Sequence, residues 1–287
     1  MRNTTKFRKL MEREGMIVAP GGFSPLCGII AEKVGFDCLY LSGYGVAAFK
    51  CGYPDVGLMT MNESLENARF TARITNIPVI VDIDNGYGNA INMTRTISDF
   101  EQAGVAAVQI EDQVWPKRCG HMEGKELISA EEMCAKIRAA AESRTDPDLV
   151  IIARTDANTV LGFEEAMRRL KMYRKAGADI LFFESPVSLE EMRQAPALID
   201  APLMINMSEG AKTPILRNDQ LEEMGYKLAI WPSSATWTAA KQIEIIYREL
   251  KKSGTTKEEA DRMYIFHEFN ELIGLPHIME LYDRYKY

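Results

Sequence analysis

Three stretches, EQAGVAAV (101–108), RKAGADIL (174–181) and EEMGYKLA (222–229), share one joint: a run of helix formers, a glycine, and then an apolar run. Glycine readily takes the left-handed backbone that ends a helix, so Gly104, Gly177 and Gly225 read as caps turning the chain from helix into strand. Outward from these joints, short apolar runs begin near Met16 (MIVAP), Asp37 (DCLYLS), Pro78 (PVIVDID), Ala106 (AAVQIED), Leu149 (LVIIART), Asp179 (DILFFES), Pro202 (PLMINM) and Lys227 (KLAIWP). They are nearly continuous rather than alternating, as strands buried on both faces of a parallel sheet must be. Helical period fills 89–103, 130–145, 162–176, 188–198, 217–224 and 234–252. Eight βα units in about 250 residues predict a (β/α)8 TIM-type barrel over 1–252. An open doubly wound sheet would carry a glycine-rich phosphate fingerprint after its first strand, where this chain has PGGFSP (20–25). The remainder, 253–287, follows the polar stretch KKSGTTKEE (251–259) and reads as a C-terminal helical arm for packing between subunits.

Composition narrows the function. The 287 residues are 46% hydrophobic and 26% charged, with 34 Lys+Arg against 41 Asp+Glu and a formal charge of -7. An acidic chain has no general attraction for nucleic acid or anionic lipid, so the expected partner is a small molecule. No apolar run is long enough to span a bilayer, and the charged first residues lack the apolar stretch of a signal peptide, which predicts a cytoplasmic protein. The five cysteines show neither CxxC pairs nor zinc-ligand spacing and read as reduced thiols. Cys38 and Cys134 read as structural, His267 and His277 as packing residues, and the charges of 163–175 as a solvated helix face.

Polar residues end most of the strands: Ser42-Gly43, Asp82 and Asp84, Glu111-Asp112, Arg154, Glu184, Asn206 and Pro232-Ser233. In a barrel those ends converge on the face where barrel enzymes build their sites. Asp82, Asp84, Glu111 and Glu184 would repel one another unless neutralised, and an all-oxygen set without His or Cys suits a hard ion, Mg2+ or Mn2+. Asp84 at the strand tip is the expected direct ligand. The loop after the fourth strand, EDQVWPKRCGHMEGK (111–125), places Lys117 and Arg118 before Cys119 and His121 after it. Nearby cations lower a thiol's pKa, so these neighbours predict an electropositive, thiolate-favouring setting. Gly86, Gly88, Gly120 and Gly124 suggest loops able to close over a ligand.

KRCGH after IEDQ, together with YLSGYGVAA, DIDNGYGN, IIARTDA and NMSEGAKTP, resembles the isocitrate lyase and phosphoenolpyruvate mutase superfamily across about residues 5 to 250. Within it the chain looks most like the short lyases acting on 2-methylisocitrate or 2,3-dimethylmalate. The resemblance implies that Asp84 touches Mg2+, with Asp82 and Glu111 holding it through water and Asp55 nearby. It implies that Tyr40, Ser42, Gly43 and Tyr44 bind an α-keto acid carboxylate, that Arg154 binds the same product, and that Glu184, Asn206 and Ser208 form the far wall. Cys119 becomes the proton donor, and Lys117, Arg118 and His121 tune it or bind the leaving carboxylate beside Gly120. It further implies a C-terminal helix exchanged between neighbouring barrels in a homotetramer.

Retro-aldol cleavage of a 2-hydroxy dicarboxylate fits such a site. A Lewis acid stabilises the ionising hydroxyl, cationic and N–H donors stabilise the enediolate, and the thiol protonates the carbon. The products are pyruvate and a saturated carboxylate. The MEGK and NMSEGAKTP segments depart from the methylisocitrate pattern and favour a dicarboxylate over a tricarboxylate. Alternatives are an oxaloacetate hydrolase of the same subfamily, a phosphoenolpyruvate mutase-like phosphonate enzyme, a Schiff-base aldolase using Lys117 or Lys212, and a scaffold without catalysis.

Overall fold

The computed structural model describes residues 1–287. Eight parallel strands close into a barrel in sequence order: β1 (Ile17–Gly22), β2 (Leu39–Leu41), β3 (Val79–Asp82), β4 (Ala107–Glu111), β5 (Val150–Thr155), β6 (Ile180–Phe183), β7 (Leu203–Asn206) and β8 (Leu228–Trp231), with β8 pairing back to β1. This is the TIM-type (β/α)8 fold expected from the apolar runs. Gly104, Gly177 and Gly225 have φ of 86°, 115° and 100°, the left-handed conformation their joints require. Two compact units make up the chain, Met1–Ser234 and Ala235–Tyr287, so the helix Ser234–Ser253 lies almost wholly in the second. No helix is long and apolar enough to cross a membrane.

Because side chains alternate along a strand, each strand sends one set inward and one outward. Ile17, Ala19, Tyr40, Ile80, Ala107, Val150, Ile152, Ile180, Phe182, Met204, Leu228 and Ile230 form one apolar cluster, the barrel interior, joined by Phe7 of the N-terminal helix Asn3–Glu12. Their neighbours one residue along, such as Val81, Val108, Ile151, Leu181 and Ile205, belong to a separate cluster shared with residues of the helices. The same alternation carries the inward set up to Asp82, Gln109 and Glu111, Arg154, Glu184 and Asn206. The polar strand ends therefore face the barrel axis and are buried, instead of standing in solvent as loop residues would.

Helices outside the pattern expected from sequence include Pro25–Val34 and Met61–Ile74. The second buries Ser64, Asn67 and Thr71 beside Leu65, Ala68 and Ala72, so its inner face is half polar and its apolar period is blurred. Asn67 Nδ2 reaches the Phe23 carbonyl at 2.9 Å, and Thr71 Oγ1 the Asn67 carbonyl at 2.8 Å.

Candidate active site

Arg154 stands at the centre of the mouth, inward on β5 and 7% exposed. Its Nε and Nη2 grip the Asp156 carboxylate, both at 2.9 Å, and its Cζ lies 5.4 Å from the Phe182 ring centroid. Nη1 faces Glu111 Oε2 at 3.5 Å and Glu184 Oε2 at 3.7 Å, beyond good hydrogen-bond length, and is left for a ligand. Burial alone would lower the Arg154 pKa, but Asp156, Glu184 and Glu111 together raise it.

The acids gather on the neighbouring strands. Asp84 follows β3 with a φ of 48°, a strained conformation for a non-glycine residue. Lys117 is buried and ion-paired to Asp55 at 2.5 Å and Asp84 at 2.8 Å. Burial raises the pKa of Asp82 and Glu111 and pushes that of Asp84 up to about 7, in spite of Lys117. Both carboxylate oxygens of Glu111 are buried without a hydrogen bond. A buried, unsatisfied acceptor costs about 1–3 kcal/mol, so this carboxylate calls for a partner. Hard oxygen donors whose ionised forms burial disfavours fit a divalent cation, whose charge would favour those forms. No three of the site's His, Cys, Asp or Glu side chains converge closely enough to hold a bare ion. This fits an ion that touches protein through one or two carboxylates and keeps its waters.

Glu184, inward beyond β6, completes the opposite wall. Its Oε1 accepts from Ser185 Oγ at 2.8 Å, and its Oε2 lies 3.4 Å from Asn206 Nδ2. His121 bridges the two, with Nε2 3.4 Å from Asn206 Nδ2 and Nδ1 3.3 Å from Ser185 Oγ. Burial works to raise the Glu184 pKa, but Arg154 and His121 outweigh it and hold the group ionised. Ser208 Oγ meets Ser233 Oγ at 3.1 Å. Ser42 caps the short helix Gly43–Val46 by accepting from the Gly45 N–H at 3.4 Å. The first N–H of that turn, on Gly43, has no partner within the helix.

Two expectations need correction. The Cys119 pKa is raised, not lowered: the thiol is mostly buried, and desolvation outweighs its neighbours. Lys117 turns its ammonium to Asp55 and Asp84, and Arg118 donates to the Glu123 carbonyl at 3.0 Å from an exposed position. Two cations adjacent in sequence thus leave the thiol a thiol, and Arg118 stands apart from the assembled mouth. The Tyr40 Oη donates to Gln109 Oε1 at 2.6 Å inside the barrel. The charged helix Phe163–Ala176 is not wholly solvated. Its Arg169 is 5% exposed and reaches Asp112 at 3.0 Å.

Sequence reasoning missed a supporting layer. Asp112 accepts from Thr155 Oγ1 (2.7 Å), Tyr173 Oη (2.7 Å), Arg169 Nη1 (3.0 Å) and the Asp156 N–H (2.9 Å). The Gln113 side chain pairs with both the N–H and the carbonyl of Arg118 at 2.9 Å, which holds the residue next to Cys119. The acids stood in the motifs IEDQ and ARTDA, but nothing in their spacing showed which cations they would meet.

Comparison with known proteins agrees with this geometry. The family model described as phosphoenolpyruvate phosphomutase matches residues 7–251. The 2,3-dimethylmalate lyase of Eubacterium barkeri is 44% identical over 99% of both chains. The 2-methylisocitrate lyase of Aeropyrum pernix is 46% identical over 93% of this chain and 86% of its own. A solved phosphonopyruvate hydrolase in complex with oxalate and Mg2+ superposes with a TM-score of 0.89 at 28% identity, covering 99% of both chains.

Proposed function

We infer the activity from one premise: this chain belongs to the phosphoenolpyruvate mutase and isocitrate lyase superfamily. It is a carbon–carbon lyase, as its relatives are named. Its reaction is cleavage of a substituted malate to pyruvate and a saturated carboxylate, with Mg2+ as the working ion and Mn2+ as a substitute. The observation that carries this reading is the unsatisfied Glu111 carboxylate beside Asp84 and Asp82, facing Arg154 and a thiol kept protonated.

Asp84 would hold the ion directly, with Asp82 and Glu111 taking its waters and Asp55 close by. Held there, the ion would supply Lewis-acid stabilisation of the charge that develops on the substrate hydroxyl. Arg154 Nη1 and the Gly43 and Tyr44 N–H groups orient that carboxylate and the nascent oxo group. The bond between the carbinol carbon and its neighbour breaks, and its electron pair passes into the second carboxylate as an enediolate. The hydroxyl proton leaves to one of the carboxylates beside it, Asp82 or Glu111. Cys119 delivers its Sγ proton to the enediolate carbon, and a raised thiol pKa suits a donor better than a nucleophile. His121, Asn206 and Glu184 line the wall beside that step.

Two features shape the substrate. Lys212, the cation available for a third carboxylate, is 46% exposed and lies 3.7 Å from the exposed Glu123, which favours a dicarboxylate such as 2,3-dimethylmalate. Lys117, held charged by Asp84 and Asp55, is unsuited to form a Schiff base. The test is a set of coupled assays, with Mg2+ and then with EDTA, for pyruvate from 2,3-dimethylmalate and 2-methylisocitrate, glyoxylate from isocitrate, and oxalate and acetate from oxaloacetate. Pyruvate from a substituted malate, lost with EDTA, is the expected result. Silence on all four substrates would sink the lyase reading, and acetate from oxaloacetate alone would transfer it to the hydrolase.

A further inference from the structure

Lys125 is the loop residue hardest to explain as a surface lysine. It sits five residues beyond Gly120 on the loop that carries Cys119, yet its side chain is 2% exposed. A buried ammonium is costly unless paired and hydrogen-bonded, so its position is specified by what it touches. Its Nζ donates to the Gly120 carbonyl through an unusually close contact and to Asp156 Oδ1 at 3.0 Å. Asp156 is the same carboxylate that takes Nε and Nη2 of Arg154, each at 2.9 Å. One buried carboxylate therefore holds the Cys119 loop through Lys125 and the guanidinium directly.

The surroundings make this junction rigid. Asp156 is fixed from behind by Asp112, which Thr155, Tyr173 and Arg169 hold in turn. The base of the loop is tied where Gln113 and Leu127 form a bridge and the Val114 N–H reaches the Glu126 carbonyl at 2.8 Å. Its leading part is tied where Lys117 meets Asp55 and Asp84. Between these two points, Gly120 packs so near Arg154 that a Cβ built on it would lie 2.3 Å from Nη2.

We propose that Lys125 and Asp156 form a latch that seats the Cys119 loop against Arg154, making Lys125 a positioning residue that registers the proton donor to the carboxylate-binding guanidinium. The roles of Cys119 and Arg154 in this statement rest on the lyase reading, but the latch itself is a physical contact and is tested without turnover. Lys125→Met keeps most of the aliphatic length and removes the ammonium.

Iodoacetamide labelling of the full chain, followed residue by residue through mass mapping, reads the seating of the loop. In Lys125→Met, Cys119 is expected to react at least about tenfold faster than in the wild type, with Cys27 and Cys51 unchanged. Loss of a nearby cation disfavours thiolate and slows alkylation, so a faster rate has to come from opening of the loop. Lys125→Arg, which restores a cation, is expected to bring the Cys119 rate back toward the wild-type value. On the cleaved substrate, Lys125→Met is expected to lower kcat about 10- to 100-fold with KM little changed. A wild-type Cys119 rate in Lys125→Met overturns the latch, as does equal acceleration at Cys27 and Cys51, which would mean general loosening. Should Lys125→Met not fold, Asp156→Asn keeps the volume, removes the charge, and is read by the same labelling. A wild-type protein that releases no pyruvate from any tested malate refutes the lyase reading, while the labelling rates still decide whether the latch exists.

Discussion

Cys119 lies two residues after one cation and directly after another, yet its setting raises its pKa. Adjacent side chains point apart: Lys117 goes to the acids, Arg118 to solvent, and the thiol to the mouth. That geometry could not be read from KRCGH, whereas the identity of the cysteine as the odd one of five could. In the proposed mechanism the Cys119 thiol gives its proton in the final step, and serine, a much weaker acid, would not replace it. Cys119→Ser is expected to lower kcat about 10²- to 10⁴-fold while oxalate and Mn2+ binding by calorimetry stay near wild type. Gly120 offers a second test at this scale. Its missing side chain leaves room for Arg154 Nη2, with Glu184 Cδ 3.0 Å from where a Cβ would stand. Arg154 cannot slide away without giving up its two bonds to Asp156. Gly120→Ala should therefore cut kcat/KM by about 10²-fold, since misplacing the proposed binding group by about 1 Å costs that much.

At the scale of elements, the strands were legible because burial on both faces leaves a continuous apolar run, and the run beginning near Leu149 became β5, Val150–Thr155. The strand ends were legible as a set because polar residues recur where a barrel has its mouth. The helix Met61–Ile74 was not, since Ser64, Asn67 and Thr71 share its inner face with Leu65, Ala68 and Ala72, and polar residues on a buried face blur the apolar period. The tie from Arg169 to Asp112, 57 residues apart, was invisible for another reason: charge pairing across a fold has no period. The first and last strands also meet at a point that sequence did not mark as critical. A Cβ on Gly21 would stand 2.4 Å from Pro232 Cα, and that obstacle is backbone, which cannot rotate out of the way. Overpacking of this kind costs about 1–3 kcal/mol, so Gly21→Ala should lower the melting temperature by about 3–10 °C in a thermal melt. A melt within about 1 °C of wild type, on the order of experimental error, would show that the β1–β8 seam yields more than its geometry suggests.

For the whole molecule, the question is what covers the helices Phe266–Leu272 and Leu275–Tyr285, neither of which has a buried residue. Phe266 is 85% exposed, Ile278 56%, Tyr282 64% and Tyr285 73%. Helices of this length are marginal in water on their own and gain most of their stability by packing an apolar face. Contiguous apolar exposure at that level marks an interface. We propose that further copies of the chain cover it, in a homotetramer that exchanges this arm between subunits. Light scattering behind a sizing column is then expected to give a mass near four times the 32.3 kDa of one chain. The double variant Phe266→Asp, Tyr282→Asp places two charges on the covered face, where neither could be paired, and is expected to shift the mass to a smaller species. Its far-ultraviolet circular dichroism should keep the barrel's signal, because neither residue belongs to the unit Met1–Ser234. A wild-type mass of one chain at micromolar concentration would end the assembly proposal. A tetramer indifferent to the two charges would place its interface elsewhere.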